Sequence, residues 1–189
     1  MEEFMKKIFA LLLLSPVLAF AHPGHLSEGW LAGVQHPFSG WDHLLAMIAV
    51  GLWAATFQGK ARWLIPTTFV SVMIGGFVLG AQGIQIPMLE QGIAASVLVL
   101  GLAAAWLKKV PAGAAIFMVG LFALFHGVAH GAEMGSHGAF SYACGFVMAT
   151  ALLHVTGFAL GTAMSRHQWI LRLTGSLIGV IGFSMLFAS

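Results

Sequence analysis

Two histidines and a glutamate lie close together in the segment 125–133. His126 and His130 are four residues apart, so both imidazoles project from one face of a helix, and Glu133 continues that face if the helix persists. Helical histidines at this spacing are recurrent metal ligands, although the glutamate that follows the first histidine in metalloprotease helices is absent. The segment is therefore a candidate metal site. The alternative is a pair of buried histidines that form hydrogen bonds between helices.

A second group of metal-ligand residue types lies in the segment 36–43, which contains His36, Asp42 and His43. Pro37 favours the first turn of a helix, with His36 at or just before the N-cap. Asp42 and His43 then lie roughly 7–9 Å along the helix. If the helix includes His36, positions 36 and 43 share a face. The alternative is a set of interfacial polar residues that cap a helix and bond to one another.

Four further residues are second-tier metal candidates. His22 and His25 begin the mature chain if a leader is cleaved after Ala21, and a free α-amine beside an imidazole can chelate a metal. Glu90 lies at the start of an apolar stretch and could join the two groups. His154 lies midway along another apolar stretch, where it is either a deeper relay site or a histidine that makes one bond between helices.

Imidazole and carboxylate ligands together suit borderline divalent ions such as nickel, cobalt or zinc. The ten methionines are scattered along the chain, which argues against a Cu(I) pathway built from thioethers. A phosphate-binding loop of the G-x-x-x-x-G-K-[ST] type is absent, so ATP hydrolysis by this chain is not expected. The basic residues form no patch that would indicate nucleic-acid binding. The residues alone leave open an ion importer or an intramembrane zinc-type metalloenzyme.

The composition indicates that these residues are positioned by membrane helices. Of 189 residues, 59% are hydrophobic and 7% are charged, whereas a soluble domain carries about 25% charged residues. The mean hydropathy is +0.94. Residues 1–21 are typical of a secretory signal peptide, because Lys6 and Lys7 precede a short apolar core and an Ala-Phe-Ala cleavage site. The bilayer is therefore the expected environment of residues 22–189.

Six apolar stretches predict an all-α integral membrane protein, a six-helix transmembrane bundle with no soluble domain. The predicted spans lie near residues 37–57, 63–81, 88–107, 111–131, 140–164 and 169–188. A three-plus-three inverted repeat is conceivable, in which the first and fourth spans correspond. A homo-oligomer is compatible with this arrangement.

Charge distribution predicts the orientation of the bundle. Cleavage of the leader places the mature N-terminus in the periplasm, and all six lysines and arginines that remain then fall in cytoplasmic loops. The expected location is the bacterial inner membrane. Six crossings return the C-terminus to the periplasm, and only an odd number would leave it inside. The two groups of metal-type residues then lie at the periplasmic end.

The sequence resembles the HupE/UreJ family of hydrogenase and urease accessory proteins. The resemblance rests on the string from His36 to Met47, with its proline, glycine, aspartate and second histidine, and on the string from Phe125 to Glu133. The leader, the His-Pro-Gly-His start of the mature chain and the six spans also match, so the resemblance covers essentially the whole chain.

This resemblance implies a nickel permease, not an enzyme, that supplies metal for the maturation of a nickel enzyme. It implies Ni²⁺ as a transported substrate with no required cofactor, and it identifies no downstream nickel chaperone. Import of another ion such as Co²⁺ or Zn²⁺ remains an alternative. By the motif match, the expected metal-handling residues are His36, Asp42, His43, His130 and Glu133, with His126 alongside.

Overall fold

The computed structural model describes residues 29–107, 110–134 and 138–188. These residues form α-helices and no strand, as the composition predicts. The helices are α1 (Trp30–Ser39), α2 (Trp41–Ala54), α3 (Ala61–Ala81), α4 (Leu89–Trp106), α5 (Ala112–Glu133), α6 (Ala139–Met164) and α7 (Gln168–Met185). The predicted leader, His22, His25, Glu28, Lys108, Lys109 and His137 lie outside the described residues.

The first apolar stretch differs from the prediction, because it is divided into two helices at Gly40. Pro37 lies inside α1, and His36 lies in its last turn, whereas the sequence predicted a helix start at these residues. Gly40 has extended dihedral angles, with φ −112° and ψ 127°, and its carbonyl accepts the Leu44 N–H at 3.0 Å to begin α2. A proline followed by a glycine three residues later weakens the helix on both sides of this point.

Four helices, α3 to α6, are long and apolar enough to cross a membrane. Helix α2 is apolar but has only 14 residues. Together with α1 it makes a longer helical segment that is interrupted at Gly40. Helix α7 has 18 residues and does not belong to the four. Many large apolar side chains are exposed on the outside of the bundle, including Phe117, Phe140 and Val180, which suits a lipid environment.

Helices α3 and α5 form the most extensive pair, and glycines allow their backbones to touch. Gly76 lies against Gly127, and Gly80 lies against Val128, so the residue numbers increase together along the two helices. The two helices are therefore parallel. An added Cβ at either α3 glycine would meet backbone atoms of α5, which is the close approach that small residues provide in membrane bundles.

Two other pairs complete the bundle. Both α1 and α2 pack on α6, with Gly33 against Tyr142 and Gly51 against Gly157. Helices α1 and α2 therefore also run parallel to α6. Helix α4 packs on α7 in the opposite sense, because the contact of Gly101 with Gly175 is followed towards the start of α4 by the contact of Leu98 with Gly182. Phe69 and Phe146 are among the largest buried apolar side chains, and each contacts residues of two other helices.

Candidate metal site

Three histidines from three helices meet near the break between α1 and α2. His36 lies in the last turn of α1, His43 near the start of α2, and His130 in the last turn of α5. One ring nitrogen of each lies within 4.8 Å of the others. Nitrogens bound at 2.0–2.1 Å to one ion are at most about 4 Å apart. Small side-chain rotations would therefore close this group, called here the imidazole triad, around a metal ion.

Asp42 orients the ring of His43. The Asp42 carboxylate oxygen Oδ1 accepts the His43 backbone N–H at 2.7 Å and lies 2.8 Å from the ring nitrogen Nδ1. A carboxylate only accepts hydrogen bonds, so Nδ1 carries the proton and Nε2 carries the lone pair in the neutral ring. That Nε2 is buried and has no hydrogen-bond partner among the residues in view. A histidine that binds a metal through one ring nitrogen commonly donates a hydrogen bond to a carboxylate from the other.

Glu133 orients His36 in the same way. Its carboxylate oxygen Oε2 lies 3.0 Å from His36 Nε2, so this nitrogen donates and Nδ1 retains the lone pair. Helix α5 persists through Glu133, which fulfils the condition under which this residue shares a face with His126 and His130. Both carboxylates thus bond to imidazoles here, and each leaves the other nitrogen of its ring with the lone pair.

His130 is the innermost member of the triad and has no polar support. It is fully buried, and neither ring nitrogen has a hydrogen-bond partner in the described parts of the chain. Its ring stacks on Phe146 with centroids 4.8 Å apart, and the ring centroids of His36 and His43 lie 4.8 and 4.7 Å away in edge-to-face orientation. Burial of unpaired polar groups is unfavourable, so this arrangement invites an explanation by a bound cation.

Solvent exposure of the side chains falls steadily along the cluster. Glu133 is 47% exposed and His36 26% exposed, His43 is 9% exposed, and His130 and His126 are 0% exposed. Asp42 is 30% exposed, so each carboxylate is more exposed than the imidazole that it bonds to, and the fully buried rings of His130 and His126 lie behind them. This order suits an ion that is attracted by charge first and bound by nitrogen afterwards.

His126 continues the series of rings beyond His43. Their centroids are 4.8 Å apart, with the rings nearly perpendicular. His126 Nε2 lies 2.9 Å from the hydroxyl of Ser96 on α4. Its other nitrogen, Nδ1, is buried without a partner among the residues that the structure covers.

Phe69 of α3 touches two histidines that the sequence placed on different helices. Its ring centroid lies 5.6 Å from that of His126 and 5.1 Å from that of His154. His154 is only 4% exposed, and neither of its nitrogens has a hydrogen-bond partner in the described segments. It also lines a cavity of about 510 Å³ between α3 and α6. Phe69 thus contacts both His126 and a further buried imidazole on α6.

Some of the metal-ligand candidates predicted from the sequence contact one another in the structure, and others do not. His36, Asp42, His43, His126, His130 and Glu133 form one connected group, which joins the two segments found by spacing. His154 is linked to it through the ring of Phe69. Glu90 is exposed in the first turn of α4, and no hydrogen bond or ion pair between Glu90 and the group is found in the described residues. His22 and His25 lie outside those residues.

Four residues that residue spacing does not identify also contact the histidines, namely Ser96, Phe69, Tyr142 and Phe146. Apolar aromatic residues and small residues occur throughout the chain, so their types carried no signal. Only the pairing of the helices shows which of them face the site. The hint in the sequence was that Ser96 is a hydroxyl residue within the apolar part of the predicted span 88–107.

Comparison with known proteins covers both metal-type segments. The family model described as "HupE / UreJ protein" matches residues 10–185. The chain belongs to the HupE/UreJ family. It is also 46% identical over 174 residues to "Protein HupE" of Rhizobium leguminosarum bv. viciae, an alignment that covers 90% of this chain and 91% of that protein. No solved structure matches the chain significantly. Family membership and the four long apolar helices together make this a multi-pass membrane protein.

Proposed function

We propose that the chain is an inner-membrane permease that imports Ni²⁺ from the periplasm for the maturation of a nickel enzyme, a hydrogenase or a urease. The observation that carries the proposal is the imidazole triad, whose ring nitrogens lie within 4.8 Å of one another at the break between α1 and α2. Membership of a family of hydrogenase and urease accessory proteins supports nickel as the ion. The imidazole chemistry by itself suits nickel, cobalt and zinc alike.

The proposed topology has six crossings, with α1 and α2 together forming the first. In such a chain the first, third and fifth crossings run one way and the others run back. The parallel pairs α3 with α5 and α2 with α6, and the antiparallel pair α4 with α7, agree with this alternation. Lys60 and Arg62, at the start of α3, lie at the end of α2 opposite to His43, as the positive-inside rule requires for a periplasmic triad.

The membrane potential is sufficient to drive import. Moving one charge across 100 mV changes the free energy by about 2.3 kcal/mol, so a divalent ion gains about 4.6 kcal/mol. At about 1.4 kcal/mol per tenfold change, this corresponds to roughly three decades of accumulation. Facilitated diffusion therefore needs neither ATP nor a chemical reaction in this chain.

The residues suggest the order of steps on the entry side. The exposed carboxylate of Glu133 and the half-buried carboxylate of Asp42 raise the local cation concentration. The lone pairs of His36 and His43 then replace water ligands, while each carboxylate keeps its imidazole in the metal-binding tautomer. His130 adds a third nitrogen, and the buried ring of His126 lies next along the route.

Uptake by the purified chain in proteoliposomes tests this proposal. We expect labelled Ni²⁺ to enter, and unlabelled Ni²⁺ to compete better than Co²⁺ or Zn²⁺. Bound metal should exchange with free metal within the time of the assay. A tightly held metal that copurifies at one ion per chain, with no uptake, would instead support the intramembrane metalloenzyme and contradict the permease.

A further inference from the structure

Ser96 makes two short contacts that together fix the position of a proton on His126. Its hydroxyl donates to the Ile93 carbonyl on the same helix at 2.6 Å, and the same oxygen lies 2.9 Å from His126 Nε2. Two oxygens at the first of these distances require a hydrogen between them. A serine hydroxyl has only one hydrogen, so Ser96 cannot also donate to His126.

The oxygen of Ser96 must therefore accept a hydrogen bond from His126 Nε2. A neutral imidazole carries one proton, which places the lone pair of His126 on Nδ1. That nitrogen is buried and has no hydrogen-bond partner within the described residues. Ser96 itself is fully buried, so water does not compete for the bond.

His126 also lies next to His43, where its lone pair could bind an ion. His43 lies between it and His130, with ring centroids 4.8 Å and 4.7 Å away, and Asp42 already leaves the Nε2 lone pair of His43 free. An ion that loses His36 and His130 can keep His43 and gain His126. His43 would then be shared by an outer and an inner binding position.

We propose that Ser96 is a positioning residue that holds His126 in the Nε2-protonated tautomer, so that Nδ1 binds the divalent ion as it leaves the imidazole triad. Ser96 plays for His126 the part that Asp42 plays for His43 and Glu133 for His36, but with a neutral oxygen. A neutral acceptor avoids a further buried charge at this depth, where an ionised group would be unfavourable. The metal-binding step of this inference depends on the proposed function, whereas the tautomer does not.

The tautomer is measured on the metal-free protein by two-bond ¹H–¹⁵N correlation spectroscopy with labelled histidine, at a pH where the rings are neutral. Loss of one set of signals in His126→Gln assigns this residue. We expect a single Nε2-protonated form in the unsubstituted chain and in Ser184→Ala, and a mixture of tautomers in Ser96→Ala. Ser184 is the matched control, because its hydroxyl makes the same type of bond, to the Ile181 carbonyl at 2.7 Å, on an exposed helix face.

A single Nδ1-protonated form in the unsubstituted chain, or the same single tautomer in Ser96→Ala, would overturn the inference. Neither result depends on nickel, so it would leave the permease proposal standing. Ser96→Thr keeps the hydroxyl and should keep the tautomer. If the added methyl prevents folding, the comparison of Ser96→Ala with Ser184→Ala still decides the question.

The functional consequence is tested by nickel binding and uptake. Supports of this kind typically change metal affinity by 10- to 100-fold, and we expect about a tenfold weaker affinity in Ser96→Ala at the low end of that range, because one ligand of several is affected. Ser184→Ala should bind like the unsubstituted chain. A mixed tautomer with unchanged nickel affinity and uptake would refute the role of His126 as an ion ligand.

Discussion

At the residue scale, the site consists of imidazoles whose protons are assigned by their neighbours. Asp42 and Glu133 each accept from one ring nitrogen and leave the other free, whereas His130 has no such support. The spacing of His126, His130 and Glu133 predicted their common face correctly, because the positions of side chains around a regular helix follow from their separation in sequence. It could not show that Glu133 bonds to the ring of His36, because that contact depends on the approach of α1 to α5.

The variant His130→Asn tests whether His130 is a metal ligand. Asn in place of His130 keeps a polar side chain but removes both ring nitrogens, so the triad loses one ligand. We expect nickel affinity in equilibrium dialysis to fall at least about tenfold. His167→Asn is the control, because His167 is exposed at the start of α7, and it should bind nickel normally. Equal losses in both variants would contradict the assignment of His130.

Asp42→Asn tests whether the carboxylate controls a tautomer. The asparagine amide can donate to His43 Nδ1, which would move the ring proton to Nε2 and remove the lone pair that faces the triad. We expect nickel affinity to fall about 10- to 100-fold with little change in thermal stability. Normal affinity in this variant would show that the Asp42 carboxylate does not orient His43 for metal binding.

At the element scale, the break at Gly40 creates the site. The two short helices α1 and α2 place His36 and His43 beside each other with a ring-centroid distance of 5.8 Å, while a continuous helix would have spaced them by about 10 Å along its axis. The sequence contained the signal, since Pro37 and Gly40 are both helix breakers. A proline is equally compatible with the first turn of a helix, and only the packing of α1 on α6 decides between the two.

Replacing Gly40 with alanine should disturb the site without unfolding the bundle. A Cβ at position 40 would come within 2.5 Å of Asp42 Oδ1, so the carboxylate would have to move away from His43. We expect Gly40→Ala to weaken nickel binding about tenfold, as loss of a supporting carboxylate does.

The matched control for this variant is Gly75→Ala in α3, because a Cβ at Gly75 meets nothing within 4 Å. It should bind nickel as the unsubstituted chain does. Circular dichroism of both variants should remain helical, which separates a local effect from misfolding. Normal nickel binding by Gly40→Ala would show that the tight packing of Asp42 against the break has no functional importance.

At the scale of the whole molecule, the pairing of helices suggests a relation between the two halves. Helices α1 and α2, which form the first proposed crossing, pack on α6, and α5 packs on α3; each pair is parallel. An inverted repeat in which the first crossing corresponds to α5, and α3 corresponds to α6, would require both pairings. The relation is incomplete, because α2 also packs extensively on α4, whereas α5 and α7 form no comparable contact in the described residues. Composition and hydropathy could predict membrane helices, but this pairing depends on glycine contacts between distant segments.

External pH should control uptake through the histidines as a group. Metal binding requires neutral imidazoles, and the ordinary pKa of histidine is about 6.5. Protons therefore compete with the ion as the pH falls through this value, and we expect initial uptake rates in proteoliposomes to fall below about pH 6. The internal pH is held constant as the control. A flat rate between about pH 8 and pH 5 would argue against obligatory histidine ligands.

Import of Ni²⁺ through the imidazole triad is tested by the dependence of uptake on membrane potential in proteoliposomes that contain only this chain. If the imidazole triad passes a bare divalent charge, accumulation at equilibrium should rise about tenfold for each 30 mV of inside-negative potential. The His43→Ala, His130→Ala double variant should lose uptake at every potential, while His167→Asn retains it. Undiminished, potential-driven uptake by the double variant would contradict import through the imidazole triad.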